Sequence, residues 1–132
     1  MRYTFKKNER LCSKKLIALL FTEGRSFLVY PIKVTYLIRE ATAYPPAQTL
    51  LLVSRKRFRK AVRRNRIKRL LREAYRLEKN YLYENLNSKQ KNCLIALAYV
   101  ANDELHIDEI KKSMQEVFKR IVDSCGKESN GA

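Results

Sequence analysis

The chain has 132 residues, 45% of them hydrophobic and 32% charged, and it carries a formal net charge of +16 at pH 7. This length and apolar fraction predict one globular domain with a sizeable core. No apolar run is long enough to span a membrane, and the charged N-terminus does not resemble a signal peptide. Three cysteines without a CxxC motif indicate neither a disulfide framework nor a zinc site. We therefore expect a reduced, cytoplasmic protein with a polyanionic partner.

The first forty residues predict one helix and two strands. Ser13 is suited to cap a helix with an apolar stripe, and Gly24 ends that helix. The segment from Ser26 to Ile38 is rich in β-branched and aromatic residues, which favour strands. Because Pro31 interrupts this segment, we expect a short edge strand followed by a longer strand.

The middle of the chain predicts a buried strand and a strongly basic helix. Residues 41–47 form a loop, and residues 49–54 form a short apolar strand buried on both faces. The segment Arg55–Arg76 then holds twelve Lys or Arg residues and one acid, Glu73. Like charges three or four residues apart destabilise a helix, so this density indicates a polyanionic ligand. The helix also has an apolar stripe, made of Ile67, Leu70, Leu71, Ala74, Leu77 and Tyr81.

Two arginines do not fit this helical pattern. Arg63 and Arg64 fall on the apolar side when the helix is projected backwards. Either the helix begins near them, or they stand beside the sheet and line a cleft.

The last third predicts a loop at 85–92, a buried strand at 93–100 and a final helix capped by Asp108. Two apolar strands separated by a long helix indicate a parallel pair joined by a helical crossover. The element order is αβββαβα, so we expect an α+β fold, an α/β sandwich of helices on a four-stranded mixed sheet. Residues 1–125 form the single domain, and residues 126–132 form a disordered tail.

Residue types suited to catalysis are sparse. Asp103, Glu104, Asp108 and Glu109 form an acidic cluster, but acids at a helix start are more often caps and dipole partners. His106 stands among them without a second histidine, which favours a surface or capping role. We therefore predict no catalytic residue and no metal ligand in the protein.

Two aromatic residues are candidates for stacking on unpaired bases. Phe21 follows the apolar stripe of the first helix, and Tyr36 lies in an alternating strand. The other side of that strand carries Lys33 and Thr35, and one of its two faces can be left bare of helices.

The basic segment has an ordered motif as well as charge. From Val53 it reads VSRKRFRKAVRRNRIKRLLREAYR. This pattern resembles the protein subunit of bacterial ribonuclease P, which carries Val-Ser-Lys-Lys and then Ala-Val-x-Arg-Asn-Arg-Ile-Lys-Arg-Leu-x-Arg. Phe21-x-x-Gly24 is similar to the end of that family's first helix. The family commonly has a glycine before Ala-Val, whereas this chain has Arg57-Phe58-Arg59-Lys60.

The resemblance implies a fold and an activity. The fold is ribosomal protein S5 domain 2-like, with a left-handed crossover that departs from the usual right-handed rule. The family's protein assists a catalytic RNA that cleaves precursor tRNA at its 5′ end. The RNA holds the catalytic centre and the magnesium ions, and the protein alone binds no cofactor. The partners are ribonuclease P RNA and precursor tRNA, with no DNA and no oligomer expected without RNA.

The resemblance also implies two sets of contact residues. Those facing the catalytic RNA are Arg55, Lys56, Arg64, Asn65, Arg66, Lys68, Arg69 and Arg72. Those lining a cleft for the single-stranded 5′ leader of the substrate are Phe21, Tyr36, Ala61 and Lys68.

Three other functions remain open at this point. A ribosomal or general RNA-binding protein can use the same basic helix. A DNA-binding regulator would need a second short helix and a tight turn before the basic helix. A self-sufficient metal-dependent nuclease would need clustered carboxylates and would cut RNA without an RNA partner.

Overall fold

A computed structural model describes residues 7–40 and 45–131, with side chains up to Cys125. Within these residues three helices and four strands follow the predicted α+β order. They are α1 (Lys14–Glu23), β1 (Arg25–Val29), β2 (Ile32–Glu40), β3 (Ala47–Val53), α2 (Ala61–Ser88), β4 (Lys91–Tyr99) and α3 (Ile107–Gly131). No helix in this part of the chain is long and apolar enough to cross a membrane.

The four strands form one mixed sheet in the order β1-β2-β4-β3. β1 pairs with β2, and β2 with β4, in antiparallel fashion, whereas β3 and β4 are parallel. The predicted parallel pair joined by a helix is therefore confirmed, with α2 as the crossover. Pro31 separates β1 from β2, and β1 is the short edge strand that this proline predicts.

Strand alternation divides the core into two layers. One face of the sheet packs against α2 and α3, and it includes Ile32, Val34, Tyr36, Cys93, Ile95, Leu97 and Tyr99. The opposite face packs against α1, where Leu20 joins Leu94 and Ala96 of β4 in a smaller cluster. Because α1 has only 10 residues, it covers part of this second face and leaves the rest open.

Helix α2 is longer than predicted, and the expected loop at 85–92 is wrong. The helix continues to Ser88, and β4 begins at Lys91. Leu82 and Leu86 are fully buried, whereas Tyr81, assigned to the apolar stripe, is 48% exposed. The buried side of the helix also contains Lys79, and a lysine interrupts the apolar period by which such a helix is recognised in sequence.

Lys79 is buried because it forms an ion pair with Glu9. Both side chains are only 5% exposed, and the Lys79 ammonium donates to a Glu9 carboxylate oxygen. Glu9 lies in a 3₁₀ turn, Lys7–Glu9. Two residues later, the Leu11 amide donates to the Thr49 carbonyl of β3 at 3.0 Å. The ion pair therefore joins the N-terminal segment to α2, and the Leu11 hydrogen bond joins it to the edge strand β3.

Two tyrosines of α2 complete this buried polar group. The Tyr75 and Tyr83 hydroxyls are 2.9 Å apart and share a hydrogen bond. Burial raises the pKa of both hydroxyls above their ordinary value, and the hydroxyl of Tyr83 also bonds Glu9. The tyrosines therefore remain protonated and able to donate at neutral pH.

The ends of the helices show how well capping signals were predicted. The Ser13 hydroxyl accepts from the Leu16 amide at 3.3 Å, which confirms Ser13 as the cap of α1. Gly24 follows α1 with a φ of −72°, so no left-handed conformation requires glycine there. A Cβ atom at Gly24 would overlap the Leu20 carbonyl oxygen and lie 2.9 Å from that of Tyr36. Close backbone packing, rather than backbone conformation, therefore requires the glycine.

The cap of α3 lies two residues before the predicted one. Asp108 lies within the first turn, and its amide donates to Nδ1 of His106 at 3.2 Å. His106 therefore has the capping role that the sequence analysis gave to Asp108.

Two remaining predictions fall at the limits of the described chain. The loop at 41–47 lies mostly outside it, because residues 41–44 are not described and β3 already begins at Ala47. Helix α3 runs to Gly131, and the division into a domain at 1–125 and a tail at 126–132 stays a prediction.

Candidate nucleic-acid interface

The connection between β3 and α2 is a turn stabilised by Ser54. Its hydroxyl accepts from the amides of Lys56 and Arg57 at 3.1 and 3.4 Å. Its carbonyl accepts from the Phe58 amide at 3.1 Å, and the Phe58 ring is 1% exposed. Among the described non-glycine residues only Gln90 has a positive φ, so no position in this turn needs a glycine.

The first turn of α2 settles the position of the two unusual arginines. The helix begins at Ala61, immediately before them. The Arg64 guanidinium donates through one nitrogen to the carbonyls of Phe58 and Arg59, at 2.9 and 2.8 Å. The Arg63 guanidinium lies 4.9 Å from the centre of the Phe58 ring. Both arginines therefore stabilise the turn that leads into the helix, and Arg64 has a structural role that its place in the motif does not reveal.

The outer side of α2 presents a face of cations. Asn65, Arg66, Arg69 and Arg72 are exposed and Lys68 is half-buried, and we call these five residues the cation face. They lie opposite the fully buried Ile67 and Leu71, as the helical period predicts. Within the described part of the chain, no ion pair involves Lys68, Arg69 or Arg72.

The single acid of the basic segment does not neutralise the cation face. Glu73 accepts from Arg76, three residues further along the helix. The hydrogen bond from Arg76 holds the pKa of the Glu73 carboxyl below its ordinary value. Glu73 therefore leaves the charge of the cation face unchanged, and phosphate oxygens are suitable ligands for this face.

The second surface is the part of the sheet that α1 leaves uncovered. It forms a recess of about 260 Å³ lined by Phe21, Gly24, Ser26, Lys33, Thr35, Leu52, Ala96 and Ala98, and we call it the open face. The Phe21 ring stands at its rim and is 52% exposed. The small side chains of Ala96 and Ala98 also line the recess, so a flat base can approach the sheet closely.

The prediction that Tyr36 offers an exposed ring is wrong. Tyr36 is 6% exposed, and its hydroxyl donates to the Ser124 hydroxyl of α3 at 2.9 Å. Its ring packs edge-on against Phe27, with centres 5.6 Å apart. Successive strand residues point to opposite faces, so Thr35 lies on the open face and Tyr36 faces the helices. A bare strand face was expected correctly, but it is the face opposite Tyr36.

A third feature lies at the edge of β3, beside the cation face. Lys68 and Arg72 line a recess of about 220 Å³ together with Arg10, Leu11, Cys12, Thr49, Leu50 and Leu51. Sequence reasoning missed Arg10, because the fold rather than the local pattern brings the N-terminal segment to α2. The basic composition of that segment was the available signal. Ala61 is exposed at the first residue of α2 and lines neither recess.

The acidic cluster of the sequence does not form a metal site in the structure. No group of three or more His, Cys, Asp or Glu side chains suited to a metal occurs among the described residues. Glu104 instead accepts from Arg66, and Asp108 and Glu109 occupy the first turn of α3, where negative charge is favourable.

Comparison with known proteins identifies the family. The ribonuclease P family model matches residues 5–122. The chain belongs to the ribonuclease P protein family. The ribonuclease P protein component of Porphyromonas gingivalis W83 is 39% identical over 116 residues, which cover 88% of this chain and 85% of that one. That of Desulforapulum autotrophicum is 33% identical over 125 residues, covering 94% and 97%.

Solved ribonuclease P proteins share the fold. That of Thermotoga maritima aligns with a TM-score of 0.67 at 24% identity, covering 85% of this chain and 96% of that one. That of Staphylococcus aureus aligns with a TM-score of 0.63 at 21% identity, covering 86% and 94%. At these identities the likeness supports the architecture, and the sequence relatives support the function.

Family membership confirms the function that the motif predicts. The chain is the protein component of the ribonuclease P ribonucleoprotein, the endoribonuclease that matures the 5′ ends of tRNA. The RNA carries the chemistry; the protein works with ribonuclease P RNA and binds precursor tRNA. Ribonuclease P needs metal ions, and the roles of individual residues of this chain remain predictions.

Proposed function

We propose that the two surfaces of this protein bind different RNAs within the cytoplasmic ribonuclease P particle. The cation face of α2 binds ribonuclease P RNA, and the open face holds the single-stranded 5′ leader of precursor tRNA. One observation carries this proposal: a helix with exposed cations and a partly uncovered sheet face border the same strand, β3. Leu52 lines the open face, and Leu50 and Leu51 line the recess beside Lys68.

The cation face has the properties that phosphate binding needs. Its guanidinium groups can donate two parallel hydrogen bonds to one phosphate, which a lysine ammonium cannot do. Helix α2 is anchored by a buried apolar side, so these groups are presented from a rigid support. The start of α2 has no acid in its first turn, and the positive end of its dipole adds to the attraction. The exposed Arg55 and Lys56 precede this helix and extend the same basic surface.

The open face has the properties that an unpaired leader needs. Phe21 offers a half-exposed ring for one base, and Lys33 offers a cation for the adjoining backbone. Stacking accepts any base, so such a surface suits leaders of varied sequence. Lys68 lies on the side of α2 that faces β3. An RNA leader that leaves the open face there would meet the cation face.

The contribution of the protein to the reaction is positioning and charge screening. Its cations reduce the repulsion between two RNA backbones and raise the local affinity for substrate and for the magnesium ions that we expect the RNA to hold. The test is cleavage of precursor tRNA by a bacterial ribonuclease P RNA at low magnesium, with and without this protein. We expect cleavage to require the protein under these conditions. Equal cleavage without it, or binding only to ribosomal RNA, would contradict the proposal.

Replacing Arg66 or Arg69 by alanine should weaken assembly with ribonuclease P RNA and flatten its salt dependence. Each loss of one phosphate contact lowers the slope of log K against log salt by about 0.7–0.9. Kd measured over a salt series gives this slope directly. Lys112→Ala, which removes an exposed cation from α3, is the matched control and should leave the slope unchanged. Unchanged slopes in both arginine variants would exclude phosphate contacts at these positions.

A further inference from the structure

The connection between β4 and α3 holds a carboxylate at a defined position beside α2. The Tyr99 hydroxyl donates to the Asp103 carbonyl at 2.5 Å and accepts from the Leu105 amide at 3.0 Å. One buried side chain therefore holds the backbone on both sides of Glu104. Burial raises the pKa of Tyr99, so its hydroxyl keeps the proton that it donates.

The same connection is joined to the turn that precedes α2. The Arg57 guanidinium donates to the Val100 carbonyl at 2.7 Å and to the Asn102 side-chain oxygen at 2.8 Å. The ring of Phe58 packs against that of Tyr99, with centres 6.0 Å apart. Glu104 is therefore held in place relative to the first turns of α2, not only within its own loop.

Glu104 uses this position to hold Arg66, and it lies close to Arg63. One carboxylate oxygen accepts from the Arg66 guanidinium at 3.1 Å, and the other lies 4.0 Å from Nε of Arg63. The Glu104 side chain is 24% exposed, compared with 43% for Arg63 and 55% for Arg66. The carboxylate is thus more buried than either arginine side chain, and both arginine side chains remain accessible to solvent.

We propose that Glu104 is a positioning residue for RNA binding: it directs the remaining N–H groups of Arg66 towards a phosphate of ribonuclease P RNA. The inference rests on the proposed binding of this RNA by the cation face. An arginine has five N–H donors, so a bond to Glu104 leaves others available. A long side chain that is ordered before binding loses less conformational freedom when the phosphate arrives.

A carboxylate beside a phosphate site also has an opposing effect. It neutralises part of the positive charge and repels the incoming anion, which by itself would weaken binding. The two effects predict opposite results when Glu104 is removed. Positioning predicts weaker binding, and repulsion predicts tighter binding. The carboxylate is more buried than both arginine side chains, and the three groups together keep a net positive charge, which favours positioning.

The experiment measures Kd of the full chain for a bacterial ribonuclease P RNA with Glu104→Ala, Glu104→Gln and the exposed-neighbour control Asp103→Ala. We expect Glu104→Ala to weaken binding about 2- to 10-fold, the cost of ordering one long side chain. Glu104→Gln keeps an oxygen that accepts from Arg66, so most of the affinity should be retained. Asp103→Ala should bind as the parent chain does. Urea unfolding of each variant distinguishes a binding loss from a folding loss.

Three results would overturn the proposal. Tighter or unchanged binding by Glu104→Ala would show that positioning does not contribute. Equal losses in the alanine and glutamine variants, matched by equal losses of unfolding free energy, would assign Glu104 a purely structural role. If Arg66→Ala binds the RNA as the parent chain does, the proposal that the cation face binds ribonuclease P RNA is contradicted. That result is distinct from a failure of the Glu104 proposal alone, in which Arg66→Ala weakens binding and Glu104→Ala does not.

Discussion

Replacing Lys79 by alanine should lower the free energy of unfolding by about 3–5 kcal/mol, the cost of leaving a buried charge without its partner. Lys79 and Glu9 are each only 5% exposed, so the truncation would leave the Glu9 carboxylate in a buried site without its ammonium partner. The expected effect is larger than that of an exposed ion pair, which contributes at most about 1 kcal/mol. It should also loosen the N-terminal segment, because Glu9 is the point at which that segment is joined to α2.

Chemical unfolding of the full chain at pH 7 measures this loss. Lys112→Ala removes an exposed lysine and should change stability by no more than about 0.5 kcal/mol. The double variant Lys79→Met with Glu9→Gln removes both charges and keeps most of the volume, and it should recover most of the stability. A loss below about 1 kcal/mol in Lys79→Ala would show that the pair does not hold the segment.

Replacing Phe21 by alanine should weaken binding of precursor tRNA to the reconstituted holoenzyme by about 1–3 kcal/mol, the contribution of one stacked base. Binding of mature tRNA should not change, because mature tRNA has no leader to lie on the open face. The ring is 52% exposed, so its removal should affect substrate binding more than folding.

The control for Phe21 is another exposed aromatic residue on a different surface. Tyr81 is 48% exposed and lines a groove with Phe118 between α2 and α3. Tyr81→Ala should leave the affinities for precursor and mature tRNA unchanged. An equal loss for both tRNAs in Phe21→Ala would indicate an altered fold or a contact with the tRNA body, and would contradict leader stacking.

Much of the fold could be predicted from the sequence because local signals agreed with the tertiary structure. Pro31 cannot donate to a strand ladder, and it does separate an edge strand from its neighbour. Ser13 caps α1 because its hydroxyl can accept a hydrogen bond from a backbone amide in the first turn of the helix, that of Leu16. The helical period of Ile67 and Leu71 placed the cation face on the outer side of α2.

The errors came from contacts between residues that are distant in the sequence. Strand alternation separates Thr35 from Tyr36, but it does not reveal which face the helices cover. The extent of α2 was underestimated because residues 85–92 are largely polar, although Leu86 among them is fully buried in the core. Glu104 likewise binds Arg66, which is 38 positions away, so a charge count treats it as a solvent-facing ion.

The most direct test of the account is a crosslinking map of the leader in the holoenzyme. A photoreactive uridine in the 5′ leader of precursor tRNA is activated in the assembled particle, and the labelled peptides are identified by mass spectrometry. We predict crosslinks to the open face, at peptides that contain Phe21, Lys33 or Leu52. Crosslinks confined to the groove of Tyr81 and Phe118 would contradict the assignment of the leader to the open face.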